Sequence, residues 1–165
     1  MHLNYKMKNR RSGLKKVLFV CVGNACRSQM AEAIARHIAS DIIDPSSAGV
    51  SPLGHIVEAT RDVLLERGIK LGDQFSKGLR DESLPLVPDL IVNMSGMPAR
   101  SFSMGKVTED WPIDDPFNSD PAAFRRVLDD IESRVNSLAD RLRYENIEES
   151  LRSVTSRAKA KTPSF

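Results

Sequence analysis

The sequence predicts an α/β protein, a three-layer sandwich in which helices cover both faces of a parallel sheet. Short apolar runs typical of buried strands alternate with stretches of helical spacing. The chain has 165 residues, 41% of them hydrophobic, which suits one domain with a sizeable core. A loop that begins at Cys21 and ends near Arg27 follows the first apolar run. Because ligands of such folds bind beyond the carboxyl ends of the strands, we expect the functional site in this loop.

The first half of the chain is predicted to contain two strands and two helices. The continuous apolar run at 16–21 indicates a buried strand, and the apolar spacing that follows indicates a helix over 28–39. Asp44-Pro45 has the composition of a turn, and 46–50 is a candidate short strand. A second amphipathic helix is expected over 56–68, where it ends at a glycine.

The second half is predicted to contain two further strands and a final helix. An apolar run at 89–94 indicates the third strand, a weaker strand is expected near 106–107, and 112–121 is a long, turn-rich loop. The final helix is expected to begin at Asp120-Pro121, with the aspartate as N-cap and the proline in the first helical position. Its apolar stripe fades after about Arg143, so we expect a frayed or disordered tail there.

The charge distribution argues against a nucleic-acid surface. The net charge is +2, but residues 1–16 contain six basic and no acidic side chains, and residues 150–165 contain four basic and no acidic ones. The body of the chain, 17–149, therefore has 14 basic against 22 acidic side chains, a net charge of −8. We expect the basic ends to be solvated and the body to present no basic patch, which excludes nucleic acid as the partner.

The same composition predicts a cytoplasmic protein without a membrane segment. No apolar run approaches the ~20 residues that a membrane-spanning helix needs, and the N-terminus has no apolar core of a signal peptide. The two cysteines lie five residues apart in one loop, which fits a reducing compartment and a catalytic or redox role. With three scattered histidines and no ligand spacing, the sequence predicts no metal site and no cofactor.

The segment from Cys21 to Ser28 has the spacing of an anion-binding loop. Seven residues can curl so that successive backbone N–H groups point to one centre at the N-terminus of a helix. The cysteine sulfur then lies at the bottom of this nest, and Arg27 closes over two oxygens of a tetrahedral oxyanion. The expected phosphate-binding residues are Val22, Gly23, Asn24, Ala25, Cys26, Arg27 and Ser28.

This loop predicts nucleophilic chemistry at Cys21. A helix N-terminus and a nearby cation both favour a thiolate, which can attack phosphorus and form a phosphocysteine intermediate. Arg27 would hold the equatorial oxygens as charge spreads over them, and the Ser28 hydroxyl would donate to the sulfur. Gly23 allows close approach of the backbone to the anion, and Asn24 tolerates a left-handed conformation. The alternative is a buried cysteine at a strand end, next to an unrelated helix.

Two further residues have candidate chemical roles. Phosphoryl transfer to sulfur needs an acid for the leaving oxygen, and Asp115, directly before Pro116 in an apolar loop, is preferred over the neighbouring Asp114. A surface turn is the alternative for this pair. Cys26 is expected to lie within reach of Cys21 and could form a reversible disulfide that protects the nucleophile, although a small apolar filler is the other interpretation.

These residues resemble the low-molecular-weight protein tyrosine phosphatase superfamily, which includes arsenate reductases of the same fold. The resemblance covers roughly residues 15–142. It is carried by Cys21–Ser28 with Met30-Ala31-Glu32, Ser47-Ala48-Gly49, Arg67-Gly68-Ile69, Leu90–Met94 and Asp115-Pro116. It implies a four-stranded parallel sheet with the phosphate-binding loop after strand 1. It also implies Cys21 as nucleophile, Arg27 as anion clamp, Asp115 as general acid, and Asn24 and Ser28 as loop supports.

The chain departs from both branches of this superfamily. Phosphatases commonly place tyrosines after the Asp-Pro pair, whereas Phe117 and Asn118 stand here, with Phe117 a possible pocket wall. Arg-Ser-Gln at 27–29 and Gln74 with Ser76-Lys77 are similar to the arsenate-reducing branch. That branch relays a disulfide through further cysteines, one of them just after the third strand, but Ser95 stands there and the chain has no third cysteine.

The sequence thus favours hydrolysis of phosphate monoesters, with aryl phosphates or a phosphorylated protein as substrate. The alternative is arsenate reduction with an external thiol donor, and a minor alternative is a phosphate-binding module without catalysis. We expect a monomer with a basic, disordered N-terminal extension over 1–14, a phosphatase-like α/β domain over 15–142 and a polar tail over 143–165.

Overall fold

A four-stranded parallel sheet forms the centre of the molecule. The structure is a computed structural model that describes residues 13–103 and 106–160. The strands are β1 (Lys15–Cys21), β2 (Ile43–Gly49), β3 (Leu90–Asn93) and β4 (Thr108–Asp110), in the order β2-β1-β3-β4. Every neighbouring pair is parallel, which confirms the predicted sheet. The first strand lies between two others, as its continuous apolar run predicts.

Three α-helices pack on one face of this sheet. They are α1 (Arg27–Ile38), α2 (Glu58–Glu66) and α3 (Pro121–Ala160). Their buried residues, among them Ile34, Leu64 and Leu128, form one core cluster with Phe19 of β1. Since side chains alternate along a strand, Leu18 and Val20 of β1 face the other side of the sheet.

The second face has a thinner cover than the sequence predicts. Its small cluster, which includes Leu18 and Ile91, packs against residues of irregular segments such as Leu79 and Leu84. The helical contribution there is one 3₁₀ turn, Ala99–Ser101, and Phe102 directly after it also packs on this cluster. The prolines near Leu84 explain the absence of an α-helix in this part of the chain. The α/β class and the layer order are as predicted, but within the described part of the chain α-helices cover one face only.

Two short elements differ from the prediction. Asp44-Pro45 lies inside β2, paired with Lys16 and Val17, and is not the predicted turn. The second strand is at an edge of the sheet, which is where a strand can accommodate a proline, because proline has no N–H to donate to a ladder. The weak strand expected at 106–107 is β4, which begins at Thr108.

The final helix begins as predicted and ends much later. Asp120 Oδ1 accepts a hydrogen bond from the Ala123 N–H at 2.8 Å, so the aspartate caps a helix that starts at Pro121. The expectation of a frayed tail after Arg143 is wrong for residues 144–160, which continue the helix. Among the described residues, no helix is both long and apolar enough to cross a membrane. The predicted N-terminal extension falls almost entirely on residues 1–12, outside the described part of the chain.

Candidate active site

The loop between β1 and α1 has the predicted curled geometry. The strand ends at Cys21, the helix begins at Arg27, and Asn24 between them has φ 47°, in the left-handed region. Gly49, paired with Cys21 across the sheet, makes this geometry possible. A Cβ at Gly49 would lie 2.7 Å from the Val22 carbonyl oxygen, so only glycine fits there. At Gly23, by contrast, a Cβ would meet Leu53 Cβ at an ordinary 3.7 Å.

The backbone of this loop remains available to an anion. Within residues 13–103 and 106–160, no N–H group from 22 to 26 donates a hydrogen bond to the protein. These groups precede α1, whose positive dipole end adds to their attraction for an oxyanion. The arrangement is that of an anion nest at a helix N-terminus.

Cys21 lies at the centre of the loop, with a hydroxyl against its sulfur. Its side chain is buried, and Sγ is 2.9 Å from Ser28 Oγ. Ser28 Oγ also accepts a hydrogen bond from Asn24 Nδ2 at 2.8 Å. Either atom of the Cys21–Ser28 contact can be the donor, and a Ser28 O–H that points to the sulfur can stabilise a thiolate. Asn24 and Ser28 are thus hydrogen-bonded to each other within the loop, and the role of loop supports that the family resemblance implies for them stays a prediction.

A buried chain of hydrogen bonds continues from Asn24 to a carboxylate. Asn24 Nδ2 also donates to Ser47 Oγ at 2.9 Å, and Ser47 donates to Glu32 Oε2 at 2.5 Å. Burial raises the pKa of Glu32, while the hydrogen bond from Ser47 and the nearby charges of Lys77 and Arg36 oppose the rise. The chain connects β2, the loop and α1 across the base of the site.

The amide of Asn24 is fixed from its other side as well. Its Oδ1 accepts from Gln29 Nε2 at 2.9 Å and from the Lys77 N–H at 2.8 Å. Gln74 Nε2 in turn donates to Gln29 Oε1 at 2.8 Å. Both glutamines are buried, so each lost contact would leave an unpaired amide in the core. Gln29, Gln74 and Lys77 thus form the support beneath the phosphate-binding loop.

Arg27 is held over the loop by three groups from two parts of the chain. Its Nη1 donates to the Met94 carbonyl at 2.6 Å and the Ile113 carbonyl at 3.2 Å, and its Nη2 donates to Asp115 Oδ2 at 2.9 Å. The side chain is buried, and its Nε has no hydrogen-bond partner among the described residues. A buried guanidinium N–H without a protein acceptor is suited to an oxygen of a bound anion.

The two candidate acids lie in different surroundings. Asp115 lines the same cavity as Cys21 and Arg27, and its Oδ1 accepts from the Phe117 N–H at 3.1 Å. Asp114 is exposed and lines a neighbouring depression that contains neither of those residues. The geometry is consistent with the preference for Asp115 over Asp114.

The cavity above Cys21 has a volume of about 170 Å³ and a partly apolar rim. Leu53 and Phe117 form two of its walls and are 41% and 45% exposed. Ser51 contributes a hydroxyl to the lining. Phe117 is therefore placed as the predicted wall, whereas Leu53 and Ser51 were not predicted, because no local pattern relates them to the loop.

Cys26 lines the same cavity but has a different chemical character. Both cysteines are free thiols. Burial raises the pKa of the Cys26 thiol to about 11, against a smaller opposing effect of its hydrogen bond with Thr60. At neutral pH this residue is a protonated thiol packed in the core, and the predicted disulfide with Cys21 stays a prediction.

Cys21, Arg27 and Asp115 line one cavity at the end of a parallel sheet, an arrangement typical of enzymes that hold a tetrahedral oxyanion against a cysteine. The sequence model of the low molecular weight phosphotyrosine protein phosphatase family matches residues 16–149. This chain belongs to that family and is a cysteine-dependent enzyme within it.

Similar proteins include arsenate reductases and phosphatases. Arsenate reductase 1 of Staphylococcus epidermidis is 31% identical over 136 residues, which cover 78% of this chain and 98% of that protein. A structure described as an arsenate reductase in the phosphate binding state has a TM-score of 0.69 at 27% identity, covering 78% of this chain and 99% of its own. The YwlE arginine phosphatase of Geobacillus stearothermophilus has a TM-score of 0.69 at 28% identity, covering 81% and 96%.

Proposed function

We propose that this enzyme is an arsenate reductase that takes its second thiol from solution. The observation that carries the proposal is the anion nest around Cys21 and Arg27 in a chain that is 31% identical to an arsenate reductase over 98% of that protein's length. Arsenate and phosphate share a tetrahedral shape and charge, so the same nest accepts either. We propose the cytoplasm as the location, because the chemistry needs reduced thiols.

The reaction has three steps at sulfur. The Cys21 thiolate attacks arsenic, forming an S–As bond while one oxygen leaves as water with protons from solvent and Asp115. A second thiolate then attacks Cys21 Sγ, and the electron pair of the S–As bond stays on arsenic. Arsenic is reduced from As(V) to As(III) and released as arsenite, while Cys21 and the external thiol are oxidised to a mixed disulfide. A further external thiol then attacks the donor sulfur of this disulfide, which releases Cys21 as a thiolate and leaves the two donor thiols as a disulfide.

The second thiol is expected to be external. The chain has only two cysteines, and Cys26 is buried with a raised pKa of about 11, so its thiolate is scarce at neutral pH. Ser95, directly after β3, donates its hydroxyl to Asn93 Oδ1 at 2.6 Å and has no thiol chemistry. A small thiol such as glutathione, or a thioredoxin- or glutaredoxin-type protein, would complete the reaction.

Hydrolysis of aryl phosphates is the second candidate, and the cavity favours it. Asp115 lines the same cavity as Cys21, and Leu53 and Phe117 offer apolar walls to a ring. The sulfur would displace the alcohol from phosphorus as Asp115 protonates it. Water would then attack phosphorus and release Cys21 and phosphate.

One preparation assayed for both activities separates these candidates. We expect arsenite formation that depends on an added thiol donor and is abolished in Cys21→Ser, whereas Cys26→Ser retains it. No arsenite with glutathione, thioredoxin or glutaredoxin, together with Cys21-dependent release of phosphate from an aryl ester, would replace the reductase by the phosphatase. Tight phosphate binding without either turnover would reduce the site to a binding module.

A further inference from the structure

The C-terminal half of α3 extends beyond the apolar core of the catalytic domain. The helix has 40 residues and is therefore about 60 Å long. Its buried residues end at Leu142, and from Tyr144 to Ala160 nearly every residue is exposed. The family match ends at residue 149. The alignment with the S. epidermidis relative covers 98% of that protein but 78% of this chain. The last turns of α3 are thus an addition to the family domain.

This extension has an apolar stripe that nothing in the described chain covers. Tyr144, Ile147, Leu151 and Val154 are 59–65% exposed and follow one another at intervals of three, four and three residues. We call these four residues the outer stripe. An alternation of three and four is the spacing of the seam between two paired helices.

The outer stripe faces away from the catalytic domain. At about 100° per residue, its mean direction lies roughly opposite to that of Leu138 and Leu142, which pack on the core. On the same outward side, the preceding turns present Ser133 and Asp140, both polar. One face of the helix therefore changes from polar to apolar after Leu142, the last core residue of the helix, while Asn146 and Ser150 on the inner side still line a depression with Lys15 and Asp89. A partner can approach the outer stripe from the side opposite to the domain.

The charges of the extension show which partner fits. The first half contains Glu145, Glu148 and Glu149, and the second half contains Arg152, Arg157 and Lys159. With three charges of each sign the segment is neutral, which gives no attraction to an anionic membrane. Two copies in opposite directions place the acidic half of each helix beside the basic half of the other. A parallel pair would place like charges together.

We propose that the outer stripe is an interface with a second copy of this chain, in which two α3 extensions pair antiparallel. This arrangement keeps the two catalytic domains at opposite ends and both active sites open. The sequence predicts a monomer, and the proposal revises that expectation. A seam of four apolar residues on each helix is short, so the dissociation constant is expected in the micromolar range.

Sedimentation of the full chain from about 1 to about 300 μM tests the proposal. We expect a monomer–dimer equilibrium that weakens with salt and a Kd that rises at least about tenfold in Leu151→Glu. Ser156→Glu adds the same charge on the opposite side of the same turns and is the matched control. Val154→Ser is a milder second variant. A monomer at every concentration, a dimer unaffected by Leu151→Glu, or attachment of the stripe to anionic vesicles in place of a dimer would each overturn the proposal.

The direction of pairing is measured by spin labels at Ala160→Cys in a Cys21→Ser, Cys26→Ser background. Antiparallel helices that align the acidic and basic halves hold the two labels on the order of 25–35 Å apart. Parallel helices would hold them at about 10 Å. The shorter distance would contradict the antiparallel arrangement.

Discussion

Asp115 and Asp114 are neighbours in the chain, yet only Asp115 lines the cavity that contains Cys21. If Asp115 protonates the leaving oxygen, Asp115→Asn slows cleavage of phenyl phosphate by ~10²–10⁴-fold. The leaving group of a nitrophenyl ester needs less protonation, so the cleavage rate of this ester should fall less. Asp114→Asn should have a mild effect on the cleavage of both esters. Steady-state rates of the three proteins with the two esters check this.

Two outcomes would contradict that role. Equal losses for both esters in Asp115→Asn would mean that the residue acts only through its 2.9 Å contact with Arg27. A larger loss in Asp114→Asn would make the other carboxylate the acid.

The raised pKa of Cys26 predicts that the stability of the protein depends on pH. Burial raises its pKa from 9.0 to about 11, so the folded state holds the proton more tightly than the unfolded chain. Its contribution is fully present below about pH 9 and is lost as the pH rises towards 11. As the pH rises through this range, the free energy of unfolding of the wild type should fall by on the order of 2–3 kcal/mol more than that of Cys26→Ala.

Urea unfolding of both proteins at pH 8 and at about pH 10.5 measures this difference. All other titrating groups are common to the two proteins, so their effects cancel in the comparison. Identical pH dependence would show that the Cys26 thiol titrates normally in the folded state.

Among the elements, the end of β2 approaches the phosphate-binding loop closely. Gly49→Ala would place a Cβ 2.7 Å from the Val22 carbonyl oxygen and 2.9 Å from the Asn24 nitrogen, both of them backbone. We expect a loss of roughly 1–3 kcal/mol in stability together with a distorted anion site. Gly13→Ala, where a Cβ meets nothing within 4 Å, is the control. Urea unfolding and phosphate affinity of the two variants give the comparison, and wild-type values for Gly49→Ala would contradict the close approach.

The elements that the sequence predicts well are those with a local signal. The first strand and α1 are recognised from a continuous apolar run and helical spacing, and the loop between them from Cys21 and Arg27. The turn predicted at Asp44-Pro45 is wrong, because the composition of this pair indicates a turn. The edge position that lets a strand contain the proline is a property of the whole sheet.

The support beneath the loop had no local signal. Gln74 and Gln29 meet across 45 residues, and Ser47 reaches Glu32 from another strand, so only the fold brings them together. The helical continuation after Arg143 was missed for another reason. The apolar stripe does not stop there but moves to the opposite face at Tyr144, which ends the pattern of a single face.

At the scale of the whole molecule, the catalytic domain should be separable from the end of α3. The family match stops at residue 149, and the core contacts of α3 stop at Leu142. A chain that ends at Glu149 is expected to keep kcat/KM within about twofold and its stability within about 0.5 kcal/mol, because residues 150–160, the described part of the removed segment, are exposed. Rates and urea unfolding of the shortened chain measure both quantities. A tenfold loss of activity would place the extension in the catalytic unit.

The hydrogen bonds that fix the Arg27 side chain affect the affinity of the site for an anion. Its guanidinium is bound by carbonyls that follow β3 and precede α3, at Met94 and Ile113, so folding itself selects the rotamer of a side chain that belongs to α1. Immobilising an arginine on ligand binding would cost about 2 kcal/mol of side-chain entropy. Here that freedom is already lost in the folded protein, and an incoming oxyanion meets a preorganised receptor whose affinity is higher by up to about 30-fold for this reason alone.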